Sequence, residues 1–514
     1  MPARLRLSVA DAVLGALSVL LLALAGLSLQ WRMVHDAPLM TYIAYAIGHL
    51  HRVPYRDLFD MNMPGTYLCY LALGRATGFS DLGFRVADLG YLVLIGANTW
   101  LLLGRFGYRV AWVGVLLFSF TYLCAGSWWS LQREYLLLLP LGAAVTVWAR
   151  PGERSPLRYG VIGALFGLAA TIKPQSALGV LVLLGFAWRN VSPGRPAMRA
   201  WAGKAAACAL GVALPLAAAF AWVAHLGGLP AFLDIARHYW PLYGQVSGQQ
   251  QVLVGSARLH YLLTTWLQVP WDGIRHLWLL PLAGGLWAAL ALSPQPPEHR
   301  RLVKLLGALA ACYAVVPVLS GQFWWYHLLP FLYFQALVCA LCLVPAGPQV
   351  RQARRVAPVL ALLVFPLQLG VPSEVASQLR TGRPTQLPSL ARADEMAGYL
   401  QTHLQPGDTV QPLDWTGGAV HALLLARAPL ATSFLYDFHF YHHVSNPYIV
   451  SLQERFLREL GQARPRFVVA VWDRPWIVGP DTADRFPALE QEITAHYRPA
   501  ARGQGYEIFE RISR

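Results

Sequence analysis

Through the first 372 residues, apolar runs long enough to cross a bilayer follow one another, separated by short basic segments. The runs fall near 10–31, 84–104, 110–126, 131–149, 158–173, 175–188, 203–226, 274–292, 303–320, 326–345 and 356–372. Each is long enough, or nearly so, for a hydrocarbon core of roughly 30 Å crossed at about 1.5 Å per residue. The shorter run 64–77 reads as a half-buried helix, so the expected total is eleven to thirteen spans. Hydrophobic residues make up 56% of the 514, far more than a soluble chain of this length needs. The expected fold class is therefore mostly α, a polytopic transmembrane helical bundle.

The formal charge of +15 does not indicate nucleic acid, because the basic residues lie in short runs between apolar segments. Arg4 and Arg6, Arg105 and Arg109, and Arg150, Arg154 and Arg158 mark the first three of these segments. Arg189, Arg195, Arg199 and Lys204, then Arg300, Arg301 and Lys304, then Arg351, Arg354 and Arg355 mark the others. They alternate with segments poorer in Lys and Arg, which predicts a cytoplasmic N-terminus. Asp36, the loop 227–273 and the C-terminal region then lie on the outer side. Arg4 and Arg6 before an apolar run resemble a secretory signal, but the run Ala12 to Leu29 is too long for one and reads as a retained helix. The six cysteines fall in or beside apolar segments, so no disulfide framework is expected, and Cys339 and Cys342 read as packing residues despite their CxxC spacing.

The polar stretch 32–65 follows the first span and holds Asp36, Asp57 and Asp60. Only 13% of the chain is charged, so three carboxylates beside a bilayer call for a reason. Asp36 stands where the first helix leaves the hydrocarbon. Leu39 to Leu50 reads as a short amphipathic helix that Pro54 ends. The run Arg52-Val-Pro-Tyr-Arg-Asp57-Leu-Phe-Asp60-Met-Asn-Met-Pro64, preceded by Asp36, resembles the GT-C glycosyltransferases that use polyprenyl-phosphate sugars. Protein O-mannosyltransferases and aminoarabinose transferases of lipid A belong to that group. The resemblance implies that Asp36 is the catalytic base and that the chain sits in a bacterial inner membrane. Many members carry Lys shortly after the later Asp, where this chain has Asn62.

Several polar residues gather at the ends of spans on the same predicted face. Arg85 opens the second span, and Gln132-Arg133-Glu134 lies in a short turn after Trp128-Trp129. Lys173-Pro174 interrupts two apolar runs, and cations in such places usually face a cavity or a partner. His327 closes the run Gly321-Gln-Phe-Trp-Trp-Tyr-His327. The Arg that opens the span, the Lys-Pro pair and the Trp-Tyr-His run are again similar to that family. The Trp and Tyr clusters themselves read as interface anchors.

The loop 227–273 is longer than ordinary connections and carries Asp234, Arg237, His238, Tyr239 and Trp240 on an expected short helix near 230–240. It is expected to help cover a substrate groove. Residues 373–389 form a polar linker. Residues 390–514 read as a small extracytoplasmic α/β domain, with strands at 408–413, 466–472 and 505–511 and helices at 390–404, 448–462 and 482–496. That domain has no glycine-rich phosphate loop and no His/Cys metal array. Its run Tyr436 to His443 suits acceptor contact or docking.

The resemblance implies transfer of a sugar from a polyprenyl-phosphate donor to an acceptor hydroxyl at the outer membrane surface, with inversion. Residues 1–372 would form the catalytic part, and the acceptor would be a glycan, a lipid or a protein. Asp36 is the expected base; Lys173, Arg133, Arg85 and His327 are the expected phosphate contacts. Asp57 and Asp60 would orient the acceptor or hold a divalent cation, the one cofactor candidate. A transporter or flippase for a lipid-linked or anionic solute is the rival. Transporters, however, keep charges near the bilayer midplane and show internal repeats, and this chain shows neither pattern. A non-catalytic assembly subunit would find the first-loop acids replaceable.

Overall fold

The computed structural model describes residues 9–152, 155–188, 195–268, 296–341, 371–385, 387–473 and 476–512. The expected span 274–292 and nearly all of 356–372 lie outside these residues, as do Arg189, Arg351, Arg354, Arg355 and Cys342. Among the described residues four helices are long and apolar enough to cross a membrane: Val9–Ser28, Asp81–Phe106, Pro196–His225 and Pro297–Ser320. Shorter apolar helices run Tyr108–Leu123, Pro156–Ile172, Pro174–Trp188 and Trp325–Leu341.

Local signals set the helix ends. The first helix, α1, is Val9–Ser28, and α2 is Asp36–His49, so Asp36 opens a helix rather than preceding it. In α3, Pro64–Thr77, proline takes the first turn where its missing N–H costs nothing, and Gly78 at φ 76° ends it. Ser80 caps α4, Asp81–Leu103, by accepting from the Gly83 amide at 3.1 Å. After α5, Tyr108–Leu123, the expected single span 131–149 is two pieces, α6 at Arg133–Leu136 and α7 at Leu138–Ala149. The break leaves Arg133 and Glu134 in a short helix of their own. Helix α8, Pro156–Ile172, stops because Pro174 drives Lys173 into extended backbone, φ −140° and ψ 112°.

After α9, Leu178–Trp188, comes α10, Arg195–His225, and it packs closely against α8 along its length. Glycines permit it: a β carbon on Gly163 would lie 2.1 Å from the Cys208 carbonyl oxygen, and one on Gly211 the same distance from that of Gly160. Gly65 does similar service where α3 begins, since a β carbon there would meet the Thr171 hydroxyl at 2.1 Å. That contact brings the end of the first loop against the end of α8.

The C-terminal region holds a four-stranded sheet in the order β1-β2-β4-β3, with β1 Val410–Leu413, β2 Phe467–Val471, β3 Tyr497–Gly503 and β4 Tyr506–Arg511. Only the β1–β2 pair is parallel. The helix Pro447–Ala463 buries Ile449, Leu452, Phe456 and Leu460, one stripe at helical spacing. β3 is an addition to the sequence reading, and the helix before it is shorter than expected, Pro487–His496. Arg498, Pro499 and Arg502 interrupt the alternation that marks a strand, and the strand pairs along one side only, with β4. The expected linker 373–389 contains a helix, Ser373–Thr381, that packs against α1.

The first loop is bound to this C-terminal region throughout. Helix α2 packs on the helix Ala419–Ala426, Tyr42 donates its hydroxyl to the Ala428 carbonyl at 2.7 Å, and Arg52 donates to that of Leu430 at 2.9 Å. The Phe59 amide donates to the Ser433 carbonyl at 2.7 Å, and Arg455 donates to that of Arg56 at 2.9 Å.

Candidate functional site

Four of the seven singled-out residues meet. Arg133, at the start of α6, donates from Nη2 to Oδ2 of Asp36 at 3.0 Å and from Nη1 to the side-chain oxygen of Asn62. Its neighbour Glu134 is paired with Lys173 and has Oε1 3.2 Å from Nε2 of His327. The other ring nitrogen of His327 donates to the Gln322 carbonyl at 2.9 Å. Two adjacent residues of a four-residue helix thus tie the first loop, the α8 terminus and the Trp325–Leu328 turn together. Burial alone would raise the Asp36 carboxyl, but His35, Arg133 and Lys173 outweigh it and hold the group well below the usual carboxylate range. Asp36 is therefore a carboxylate at any physiological pH.

Tyr326, His35 and Glu134 belong to this cluster although their roles were not assigned from sequence. The Tyr326 hydroxyl lies 3.4 Å from Oδ2 of Asp36, and Nδ1 of His35 lies 3.1 Å from its Oδ1. Glu134 could have been found by its place beside Arg133, a second charge at the end of an apolar run. His35 gives no such signal, being one of many aromatic or imidazole residues near span ends.

The remaining candidates stand elsewhere. Arg85 is buried in a separate network, paired with Asp88 and bonded to Ser28 and Ser130 at 3.2 and 2.7 Å, with its guanidinium over Trp31. Asp57 is at the surface, where it pairs with Arg56 and caps the turn at the Val53 amide. Burial acts to raise its carboxyl, and Arg56 with the Val53 amide reverses that. Asp60 is fully buried, with its oxygens accepting from Tyr67, Tyr436 and Asn62. Among the described residues no three His, Cys, Asp or Glu side chains come together as metal ligands.

The expected helix near 230–240 forms as Leu229–Asp234, a π-helical turn at Ile235–Tyr239 and Trp240–Tyr243. It carries Tyr239 into the histidine run of the C-terminal region. His439 Nδ1 lies 2.6 Å from the Tyr239 hydroxyl, which lies 3.1 Å from His442 Nε2. His442 and His443 share a hydrogen bond of 2.8 Å, and His443 reaches Gln245 at 3.0 Å. The run is thus used for docking the loop.

An apolar groove of about 480 Å³ opens between α3, α4, α7, α8 and α10. Leu136, Thr171 and Ile172 line it, the first two residues beyond Glu134 and the others just before Lys173. The groove therefore adjoins the charged cluster.

No protein-family model matches the chain, and no curated protein matches it. Among solved structures, ArnT from Cupriavidus metallidurans bound to undecaprenyl phosphate aligns over 98% of this chain and 99% of its own, with TM-score 0.59 at 14% identity. Its apo state aligns over the same shares with TM-score 0.59 at 15% identity. The chain has the GT-C fold of ArnT. The ArnT likeness runs nearly end to end, so it takes in both the helical part and the small C-terminal sheet. With its apolar helices, the chain is an integral membrane protein. The first-loop motif and the ArnT fold point the same way from separate observations, one from residues and one from backbone.

Proposed function

We propose that the protein is an integral-membrane glycosyltransferase that moves a sugar from a polyprenyl-phosphate donor to an acceptor hydroxyl on the outer face of the membrane, with inversion. One observation carries the reading: the Asp36–Arg133 pair and the Glu134–Lys173–His327 group sit together, and chain neighbours of Glu134 and Lys173 line an apolar groove. The groove suits a polyprenyl tail, and undecaprenyl phosphate is the lipid bound to ArnT. Arg133 Nε and Glu134 Oε2 are buried and have no hydrogen-bond partner among the described residues, which leaves a donor and an acceptor for a polar substrate.

In this reading Asp36 accepts the proton of the acceptor hydroxyl as its oxygen bonds the anomeric carbon. General-base help of this kind is worth about 10²–10⁴-fold. The bond from the anomeric carbon to the phosphate breaks, and its electron pair leaves with the phosphate. Lys173 has two N–H groups beyond the one given to Glu134, and with Arg133 it meets the charge that develops there. His327 lies against Glu134 on the other side, with its Nδ1–H given to the Gln322 carbonyl. The C-terminal region holds the first loop in shape, and the loop 227–268 closes against it.

The test incubates purified protein with a panel of polyprenyl-phosphate sugars and measures release of free polyprenyl phosphate. Release that depends on an added acceptor supports the reading. No release from any member of the panel, by well-folded protein, defeats it. Movement of intact donor across vesicles without cleavage would favour a flippase instead.

A further inference from the structure

Trp129 to Gln132 is a tight turn closed by the Gln132 amide, which donates to the Trp129 carbonyl at 3.2 Å. Its two central residues are Ser130, at φ −58° and ψ 120°, and Leu131, at φ 47°. That is the backbone of a type II turn, whose second central place calls for positive φ and usually holds glycine. Here a wholly buried leucine fills it. A side chain of that bulk stays in the left-handed region only where its surroundings hold it there.

The surroundings do so at both ends of the residue. The Leu131 amide donates to Oδ1 of Asp88 at 3.1 Å, and its carbonyl accepts from the Tyr70 hydroxyl at 2.8 Å. Arg85, the ion-pair partner of Asp88, donates to the Ser130 hydroxyl at 2.7 Å. The Tyr122 hydroxyl donates to the same Asp88 oxygen that receives Leu131. Helices α3, α4 and α5 thus each send a buried side chain to this one turn. Just beyond Gln132, α6 opens with Arg133 and Glu134, one directed to Asp36 and the other to Lys173. Their directions therefore depend on the peptide planes on either side of Leu131.

We propose that Asp88 and Tyr70 are positioning residues: they clamp the amide and the carbonyl of Leu131, hold the turn in its left-handed form, and so aim Arg133 at Asp36 and Glu134 at Lys173. The inference rests on the glycosyltransferase reading. The proton still passes from the acceptor to Asp36, and the electron pair still leaves with the phosphate. The clamp touches neither; it sets where the two charges of α6 stand when the reaction occurs. A misplacement of about 1 Å at a reacting group can cost roughly 10²-fold in rate.

The test measures transfer and melting temperature for full-length Tyr70→Phe, with Tyr333→Phe as the control. Tyr70→Phe deletes one hydroxyl and keeps the ring. Its kcat is expected to fall about tenfold, with KM for the donor unchanged, because orientation is lost while the groove and Lys173 remain. Tyr333→Phe deletes an equally buried hydroxyl, bonded to Thr99 further along α4 at 3.1 Å, and should keep the wild-type kcat. Adding Leu131→Gly to Tyr70→Phe should restore part of kcat, since glycine takes positive φ freely, even as the lost side chain lowers the melting temperature. A Tyr70 hydroxyl that serves stability alone gives the opposite pattern: a lower melting temperature and wild-type kcat per folded molecule. That pattern, an equal fall in Tyr333→Phe, or a fall that Leu131→Gly does not relieve overturns the proposal while the wild type remains a transferase. A wild type that transfers no sugar overturns the glycosyltransferase reading and this inference with it.

Discussion

Asp60 Oδ1 accepts a hydrogen bond of 2.6 Å from the hydroxyl of Tyr436, 376 positions further along the chain. The other oxygen accepts from Tyr67 and from Asn62. Asp60→Asn would turn an acceptor toward these donors into a donor itself. The expected loss is roughly 1–3 kcal/mol of stability, read as a lower melting temperature, with donor affinity kept in the folded fraction. An Asp60→Asn protein of unchanged melting temperature and lost transfer would return this residue to acceptor orientation.

Asp36→Asn keeps the size of the side chain and removes its basicity. Transfer should fall by at least about 10²-fold, with donor binding little changed. Asp57→Asn should do far less, since Asp57 is engaged with Arg56 at the surface. Steady-state release of polyprenyl phosphate by the two variants checks this. Near-normal turnover by folded Asp36→Asn removes Asp36 from the mechanism.

Lys173 and Glu134 are a buried pair, so truncating one partner strands the other. Lys173→Ala should cost roughly 3–5 kcal/mol of stability as well as donor affinity, and the two effects need separating. The double variant Lys173→Met with Glu134→Gln removes both charges and should regain melting temperature without regaining donor affinity. Lys173→Arg should keep part of both. Recovery of full donor affinity in the double variant would leave Lys173 with no role at the phosphate.

Arg85 belongs to the Asp88, Ser28 and Ser130 network, away from Asp36. Arg85→Met should lower the melting temperature or the yield, because Asp88 loses its partner, while the protein that folds should bind donor as the wild type does. A selective loss of donor affinity at unchanged stability would bring Arg85 back to the phosphate.

The histidine run sets a pH dependence. Burial, with the neighbouring His443, pushes His442 down from 6.5 to about 3. As pH falls below 6.5 the unfolded imidazole takes up a proton that the folded one refuses, so stability is full above that value and declines toward pH 3. The slope is at most about 1.4 kcal/mol per pH unit for one such group. The melting temperature at about pH 5.5 should therefore lie below that at about pH 7.5, and His442→Gln should flatten the difference. An identical slope in the variant would assign the effect to other groups.

The helices were legible because length and hydropathy alone dictate them, and so was the gathering of Lys173, Arg133, Asp36 and His327, since each marks the end of an apolar run. What pairing adds was not legible. Arg133 and Glu134 look alike as a charged dipeptide, yet one turns to Asp36 and the other to Lys173, a distinction that depends on a break at Leu137 between two helices. Arg85 shows the reverse error of scale: a cation opening a span looks the same whether it faces a substrate or an aspartate one turn away. β3 was missed because its sequence lacks the alternation that a two-sided environment imposes. Leu131 was missed because backbone strain leaves no mark in composition.

Five contacts bind the first loop to residues 428–455, and they carry a consequence for synthesis. Asp36 leaves the ribosome long before Tyr436, Ser433 and Arg455, so its loop finds them only after every helix between has been made. The loop must wait, incompletely shaped, through the insertion of every intervening helix. Chains cut short before about residue 430 would hold all of the charged cluster and still lack the template that shapes the loop around it. The first loop thus takes its final shape only once these late contacts have been made, however early Asp36 itself is laid down.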